Sequence, residues 1–175
     1  MSNYWTGRHG LAYYRVAVDF VRRYAPDARR LLDVGGGVSR GCQYLQWLPQ
    51  LQRTSVELPD SGSQQLHPVR VVKADFLDWD VDGPYDVVMC LQVLEHVPQV
   101  EAFTVKLFDC APTVVISVPY RWPAGRTACH VHDPVDEAKL HGWTKRQPLE
   151  SRIIGQSTQR LVCVYQDSRF VHGTN

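Results

Sequence analysis

Leu31-Leu32-Asp33-Val34-Gly35-Gly36-Gly37-Val38-Ser39 is the stretch whose reading decides the fold. Leu31, Leu32 and Val34 suit a short strand covered on both faces. The three glycines that follow let the backbone turn sharply and let a ligand approach where a Cβ would collide. Ser39 is placed to cap a helix, whose first N–H groups would point back into the turn. Asp33 puts a negative charge just ahead of that turn. This is the anatomy of a nucleotide-type site, although any tight strand-to-helix connection can use a glycine cluster. The rest of the chain separates the two.

Working outward, Leu11, Tyr14, Val18 and Val21 recur at helical spacing, widened by Tyr13, Ala17, Phe20 and Tyr24, and predict an amphipathic helix ending near Pro26. Downstream, Gly41 to Leu48 reads as a helix stopped by Pro49. Gln52 to Leu58, Val69 to Val72, Tyr85 to Leu91 and Thr113 to Val118 read as strands. A helix with Val100, Phe103, Leu107 and Phe108 on one face separates the last two. A short helix over Pro134 to His141 precedes a closing pair of strands, Ser151 to Gly155 and Leu161 to Tyr165. Strands alternating with helices predict an α/β, Rossmann-like, doubly wound and mostly parallel sheet. Asp33, Glu57, Asp75 and Gln92 to His96 all fall at the carboxyl ends of successive strands, where such sheets bind ligands.

Composition narrows the partners. At 175 residues the chain is expected to form one domain, with a cap segment and helix over 1–28, a cofactor-binding core over 29–119, and a substrate loop with closing strands over 120–175. With 44% hydrophobic residues, 21% charged residues and a net charge of +1, neither disorder nor a nucleic-acid partner is indicated. Five cysteines without a Cys-x-x-Cys read as reduced thiols, Cys42, Cys90, Cys110 and Cys163 among apolar residues. No apolar run approaches the ~20 residues of a membrane span. Met1 to Trp5 carries no basic and then hydrophobic leader, so a cytoplasmic location is expected.

The crevice residues have matching chemistry. Glu57 follows Asp33 at about the spacing at which an acid meets ribose hydroxyls; those are donors, and a carboxylate only accepts. Asp75 and the backbone of Phe76 are placed to meet an adenine. A NAD-dependent oxidoreductase of Rossmann type would share these features, but Arg40 stands where its third glycine belongs. A cofactor-binding protein without catalysis would share them too.

Asp33-Val-Gly-Gly-Gly-Val-Ser, Glu57, Asp75-Phe76 and Tyr85-Asp86-Val-Val-Met-Cys-Leu-Gln-Val-Leu-Glu95-His96-Val resemble the ordered motifs of class I S-adenosylmethionine-dependent methyltransferases of small-molecule type. The resemblance runs from about Leu31 to Pro119. It implies a seven-stranded sheet with an antiparallel last strand and S-adenosyl-L-methionine as cofactor. It also implies that Asp33, Gly35, Gly36 and Gly37 lie under the methionine part, that Glu57 meets the ribose and Asp75 and Phe76 the adenine, and that Leu91 and Gln92 border cofactor and substrate. Ser39, where many members have another glycine, and the clipped segment between Leu58 and Val69 depart from the pattern. Base-methylating relatives carry Asp/Asn-Pro-Pro-aromatic after the fourth strand; here that position reads Cys90-Leu91-Gln92, and Ser117-Val118-Pro119-Tyr120 follows the fifth strand instead.

Methyl transfer to a hydroxyl calls for a base, and histidine suits neutral pH. His130 and His132 are the candidates, sharing a face if the backbone is extended. Two other readings of Cys129-His130-Val131-His132-Asp133 stay open: a metal site, or a loop whose Asp133 caps a helix starting at Pro134. The expectation is that no metal is bound. Tyr4, Trp5, His9, His96, Arg121, Trp122 and Arg126 are candidate substrate-lining residues. With little chain outside the core, a homodimer could complete the pocket.

Overall fold

The computed structural model describes residues 11–37, 41–61, 68–167 and 169, and of 41–43 the backbone alone. Ser39, Arg40, Tyr4, Trp5 and His9 lie outside the described residues. Helix α1 (Ala12–Tyr24) leads into β1 (Arg30–Val34), a 3-10 helix over Gly41–Trp47, β2 (Gln52–Glu57) and β3 (Arg70–Lys73). Then come β4 (Val87–Leu91), a 3-10 turn over Leu94–His96, α2 (Val100–Cys110), β5 (Thr113–Pro119), α3 (Glu137–Thr144), β6 (Glu150–Ile154) and β7 (Arg160–Gln166).

The strands form one seven-stranded sheet in the order β3-β2-β1-β4-β5-β7-β6. β1 pairs in parallel with β2 and β4, with Asp33 beside Ser55 and Leu32 beside Val88. β3 and β5 extend the parallel part at either end. β7 is inserted between β5 and β6 and runs antiparallel to both. This meets the expectation of an antiparallel last strand. A dinucleotide-binding sheet of order 3-2-1-4-5-6 would lack that inserted strand.

Alternation along the strands divides the core. Leu31, Val87, Met89, Val115 and Val162 face α1 and the 3-10 helix, packing on Ala17, Val18, Phe20, Tyr44 and Leu45. Leu32, Val34, Val88, Cys90, Val114 and Ile116 face the other way, onto Phe103, Leu107, Leu140 and Trp143 of α2 and α3. Each fully buried side chain of this size contributes roughly 1.5–3 kcal/mol relative to exposure.

Two elements differ from expectation. The segment after the glycines is a seven-residue 3-10 helix, with Leu48 N donating to Leu45 O. Pro49 leaves it too short to settle into α geometry. Its carbonyls are drawn off by arginines: Arg53 Nη1 donates to Leu45 O at 2.9 Å and Arg22 Nη2 to Trp47 O at 2.7 Å. α3 begins at Glu137, later than Pro134, because Asp136 caps it by accepting from Lys139 N at 2.9 Å. Val135 is instead buried in the core, and its carbonyl accepts from Arg121 N. Asp133 is therefore not the cap.

Candidate active site

The strand order reverses about β1 and β4, and a cavity of about 450 Å³ opens beyond their carboxyl ends. Gly35, Glu57, Asp75, Phe76, Gln92 and His96 all line it, so four separated segments converge as their strand-end positions require.

Asp33 does not line the cavity. It shares the parity of Leu31, so its side chain faces the α1 layer, and it is fully buried. Tyr44 donates to Asp33 Oδ1 at 2.5 Å, and Ser55 Oγ lies 3.1 Å from Asp33 Oδ2 and 3.2 Å from Glu57 Oε1. One hydroxyl proton serves two carboxylates, so Ser55 can donate to only one at a time. Burial pushes the Asp33 carboxyl up from 3.8 to about 7; Tyr44 opposes the rise, and the nearby Glu57 charge adds to it. Asp33 thus supports the glycine loop from below. A Cβ on Gly36 would come within 1.8 Å of Asp33 Oδ2, so the loop lies directly on the carboxylate. Gly35 takes φ +70°, donates its N–H to Val56 O at 2.9 Å, and a Cβ there would strike Val93 Cγ2 at 2.8 Å. Gly37 also takes positive φ.

The cavity wall has an acidic and an aromatic part. Glu57 is buried at the end of β2. Asp75 Oδ1 accepts from Leu77 N at 2.9 Å, an Asx turn that holds its carboxylate at the rim. Phe76 packs on Phe103 with ring centroids 4.8 Å apart. These fit an adenosyl group: acceptors for ribose and amino donors, aromatic edges for a flat base, and a loop cleared of Cβ atoms.

Leu91 is buried in the α1 layer and does not line the cavity, whereas Gln92 does, with φ 60°, a left-handed conformation that a side chain rarely adopts. Its surroundings over-determine it. Gln92 N donates to Ser117 O, Nε2 donates to Ser117 Oγ at 3.1 Å, and Oε1 accepts from Arg160 Nε at 3.0 Å.

Beyond Gln92 the wall continues into a histidine corner. His96 Nδ1 lies 3.0 Å from Cys129 O, Val131 N donates to Glu95 O at 2.9 Å, and His132 Nε2 lies 2.8 Å from Val97 O. These three bonds lace the segment after β4 to the loop after β5. They set His130 against His96, rings edge-on with centroids 4.7 Å apart. Asp133 Oδ2 lies 2.6 Å from His130 Nδ1, the two side chains 1% and 6% exposed. Trp122 stacks on the far side of His130 and donates its indole N–H to Gln159 O.

His130 and His132 do not share a face. His132 turns toward Trp143, ring centroids 5.0 Å apart, away from the cavity. Arg121 is exposed near Glu137 and Arg126 lies over the Trp122 ring; none of Arg121, Trp122 and Arg126 lines the cavity. Tyr44, Ser55, Ser117 and Arg160 carry no site signal of their own in the sequence motifs. The parity of Asp33 with Leu31 carried a signal for the first two; the others answer only to contacts between distant segments.

Comparison with known proteins agrees. The family described as methyltransferase domain matches residues 5–152. The chain belongs to that family. No curated protein sequence matches it. Among solved structures, Burkholderia thailandensis 1,6-didemethyltoxoflavin-N1-methyltransferase, with 1,6-didemethyltoxoflavin and S-adenosylhomocysteine bound, superposes with a TM-score of 0.71 at 17% identity, covering 94% of this chain and 80% of that one. The N-methyltransferase NodS from Bradyrhizobium japonicum WM9 in complex with S-adenosylhomocysteine gives 0.68 at 14% identity, covering 91% and 90%. The N-terminal domain of EvdMO1 with S-adenosylhomocysteine bound gives 0.66 at 17%, covering 89% and 82%. At these identities the likeness is one of fold.

Proposed function

We propose that this protein transfers a methyl group from S-adenosyl-L-methionine to a hydroxyl of a small molecule. The observation that carries it is the convergence of Gly35, Glu57, Asp75, Phe76 and Gln92 on one cavity in a methyltransferase fold. S-adenosylmethionine supplies a sulfonium methyl, which passes to the acceptor oxygen as its carbon–sulfur bond breaks with the electron pair going to sulfur.

The chain's own part is alignment and proton handling. Glu57 and Asp75 accept from ribose and adenine donors, Phe76 flanks the base, and Gln92 borders the acceptor. Alignment of this kind supplies several kcal/mol of a barrier. The acceptor's proton leaves toward the His96–His130 corner, where Asp133 holds His130 with its lone pair on Nε2. His132 is left out of this assignment, because its Nε2 meets Val97 O.

The whole chain acts as one unit, with α1 supporting the sheet on the layer away from the cavity and the loop from 120 shaping the acceptor side. Cys90, Cys110, Cys129 and Cys163 are free thiols, in keeping with a cytoplasmic setting. No helix among the described residues is long and apolar enough to cross a membrane.

Calorimetric titration with S-adenosylhomocysteine tests the reading first, and isotope-labelled methyl transfer to a panel of hydroxylated and amino acceptors tests it second. Binding with transfer to hydroxylated acceptors is expected. Absence of binding would refute the cofactor assignment, and transfer confined to amines would refute the acceptor.

A further inference from the structure

Behind the cavity wall, Glu95, His96 and His130 bring one carboxylate oxygen and one nitrogen from each ring within 4.8 Å of one another. We infer that this corner is a binding site for a borderline divalent transition ion such as Zn²⁺, with Glu95, His96 and His130 as ligands and Asp133 and the Cys129 carbonyl orienting the two rings.

Ring orientation is the first argument. A backbone carbonyl can only accept, so His96 Nδ1, 3.0 Å from Cys129 O, carries the ring proton and makes Nε2 the lone-pair nitrogen. Asp133 Oδ2, 2.6 Å from His130 Nδ1, does the same for His130. Metal-bound histidines are oriented in this way, by a carboxylate or a carbonyl on the far nitrogen. Here both rings have it, from one loop.

Spacing and burial are the second. His96 Nε2 and Glu95 Oε1 lie 3.9 Å apart, long for a hydrogen bond. Two ligands on a tetrahedral ion, at about 2.0–2.2 Å bonds, sit roughly 3.3 Å apart, so the three donors close on an ion by drawing together by up to about 1.5 Å. The Glu95 side chain is only 1% exposed, and a carboxylate withdrawn that far from water favours positive charge beside it. Asp133 Oδ1 is likewise buried, with no hydrogen-bond partner among the described residues. Two imidazoles and one carboxylate favour Zn²⁺ or a neighbouring transition ion over Mg²⁺, which prefers an all-oxygen shell. Three protein ligands leave a fourth position open.

His96 lines the cavity, so the open position lies beside the proposed acceptor. The consequence for catalysis rests on the methyl-transfer reading: an acceptor hydroxyl bound to the ion loses its proton to water more readily, and His130 then serves as ligand while the ion acidifies the oxygen. Ion binding itself does not depend on that reading.

The full chain, freed of metal with a chelator, is titrated with Co²⁺ by calorimetry and visible absorption. One equivalent should bind, with the intense bands of a four- or five-coordinate ion. His96→Ala and His130→Ala should each abolish the bands, and Asp133→Asn should weaken binding by about 10–100-fold. His130 does not line the cavity, so S-adenosylhomocysteine binding by His130→Ala within a few-fold of the wild type shows that variant to be folded. No saturable Co²⁺ uptake by the wild type, or equal uptake by both histidine variants, would overturn the inference. If S-adenosylhomocysteine binds normally in that case, the ion site fails and the methyl-transfer reading stands. Ion uptake without S-adenosylhomocysteine binding would mean the reverse.

Discussion

The carboxylate of Asp33 lies directly beneath Gly36, so close that a Cβ on the glycine would fall 1.8 Å from Asp33 Oδ2. The acid is in turn gripped by Tyr44 at 2.5 Å and by Ser55, which also reaches Glu57. Loop, buried acid and the acid at the cavity wall are thereby packed into one unit, with the Ser55 hydroxyl between the two carboxyl groups.

Gly36→Ala should disrupt that unit, because Asp33 cannot withdraw without giving up Tyr44 and Ser55. We expect a stability loss of about 1–3 kcal/mol in urea unfolding and at least a tenfold loss of S-adenosylhomocysteine affinity in calorimetry. Wild-type values for both would show that the carboxylate moves aside freely.

The buried acid also makes stability depend on pH. Its folded pKa, about 7, lies above the ordinary 3.8, so the folded state prefers the neutral form. From pH 4 to 7 the unfolded chain has released this proton while the folded chain still holds it. The Asp33 contribution is therefore full in acid, falls as pH rises through that window, and levels off above about 7. Its size is on the order of a few kcal/mol. Asp33→Asn cannot ionise and should lack this fall. Urea midpoints at pH 5 and pH 8 should accordingly shift in favour of the variant at the higher pH, and parallel wild-type and variant curves would contradict the assignment.

Glu57→Ala removes the acceptor proposed for the ribose hydroxyls. A hydrogen bond to a charged group contributes about 1.5–3 kcal/mol, so S-adenosylhomocysteine affinity should drop roughly 10–100-fold, with Glu57→Gln in between. Calorimetry decides it, and unchanged affinity in both variants would remove Glu57 from the site.

Asp133→Asn tests the histidine corner through turnover. An amide can present its NH₂ to His130 Nδ1 and so place the ring in the other tautomer. The expected result is a fall in kcat of about 10²–10⁴ with cofactor affinity held within a few-fold. Equal losses in both quantities would point to a folding role instead.

Much of this was legible along the chain. The strand after Ala28, the three glycines, Glu57 at the end of β2 and Gln92 at the end of β4 follow from residue periodicity and from turns that only certain residues can make. Less legible was which wall each residue would serve. Asp33 sits one strand position from Leu32 and so faces the opposite layer, where Tyr44 waits. The short helix was displaced from Pro134 to Glu137 because burial of Val135 outweighed the local capping signal of Asp133.

The sequence by itself determined the alternation of strands and helices, the glycine turn and the strand-end positions of Glu57 and Asp75, since each depends on neighbours within a few residues. Only the tertiary structure decided that Glu95, His96 and His130 would meet while His132 turned away. Three hydrogen bonds between residues 95–97 and 129–132 make that corner, and no local pattern in either segment encodes a partner so far along the chain.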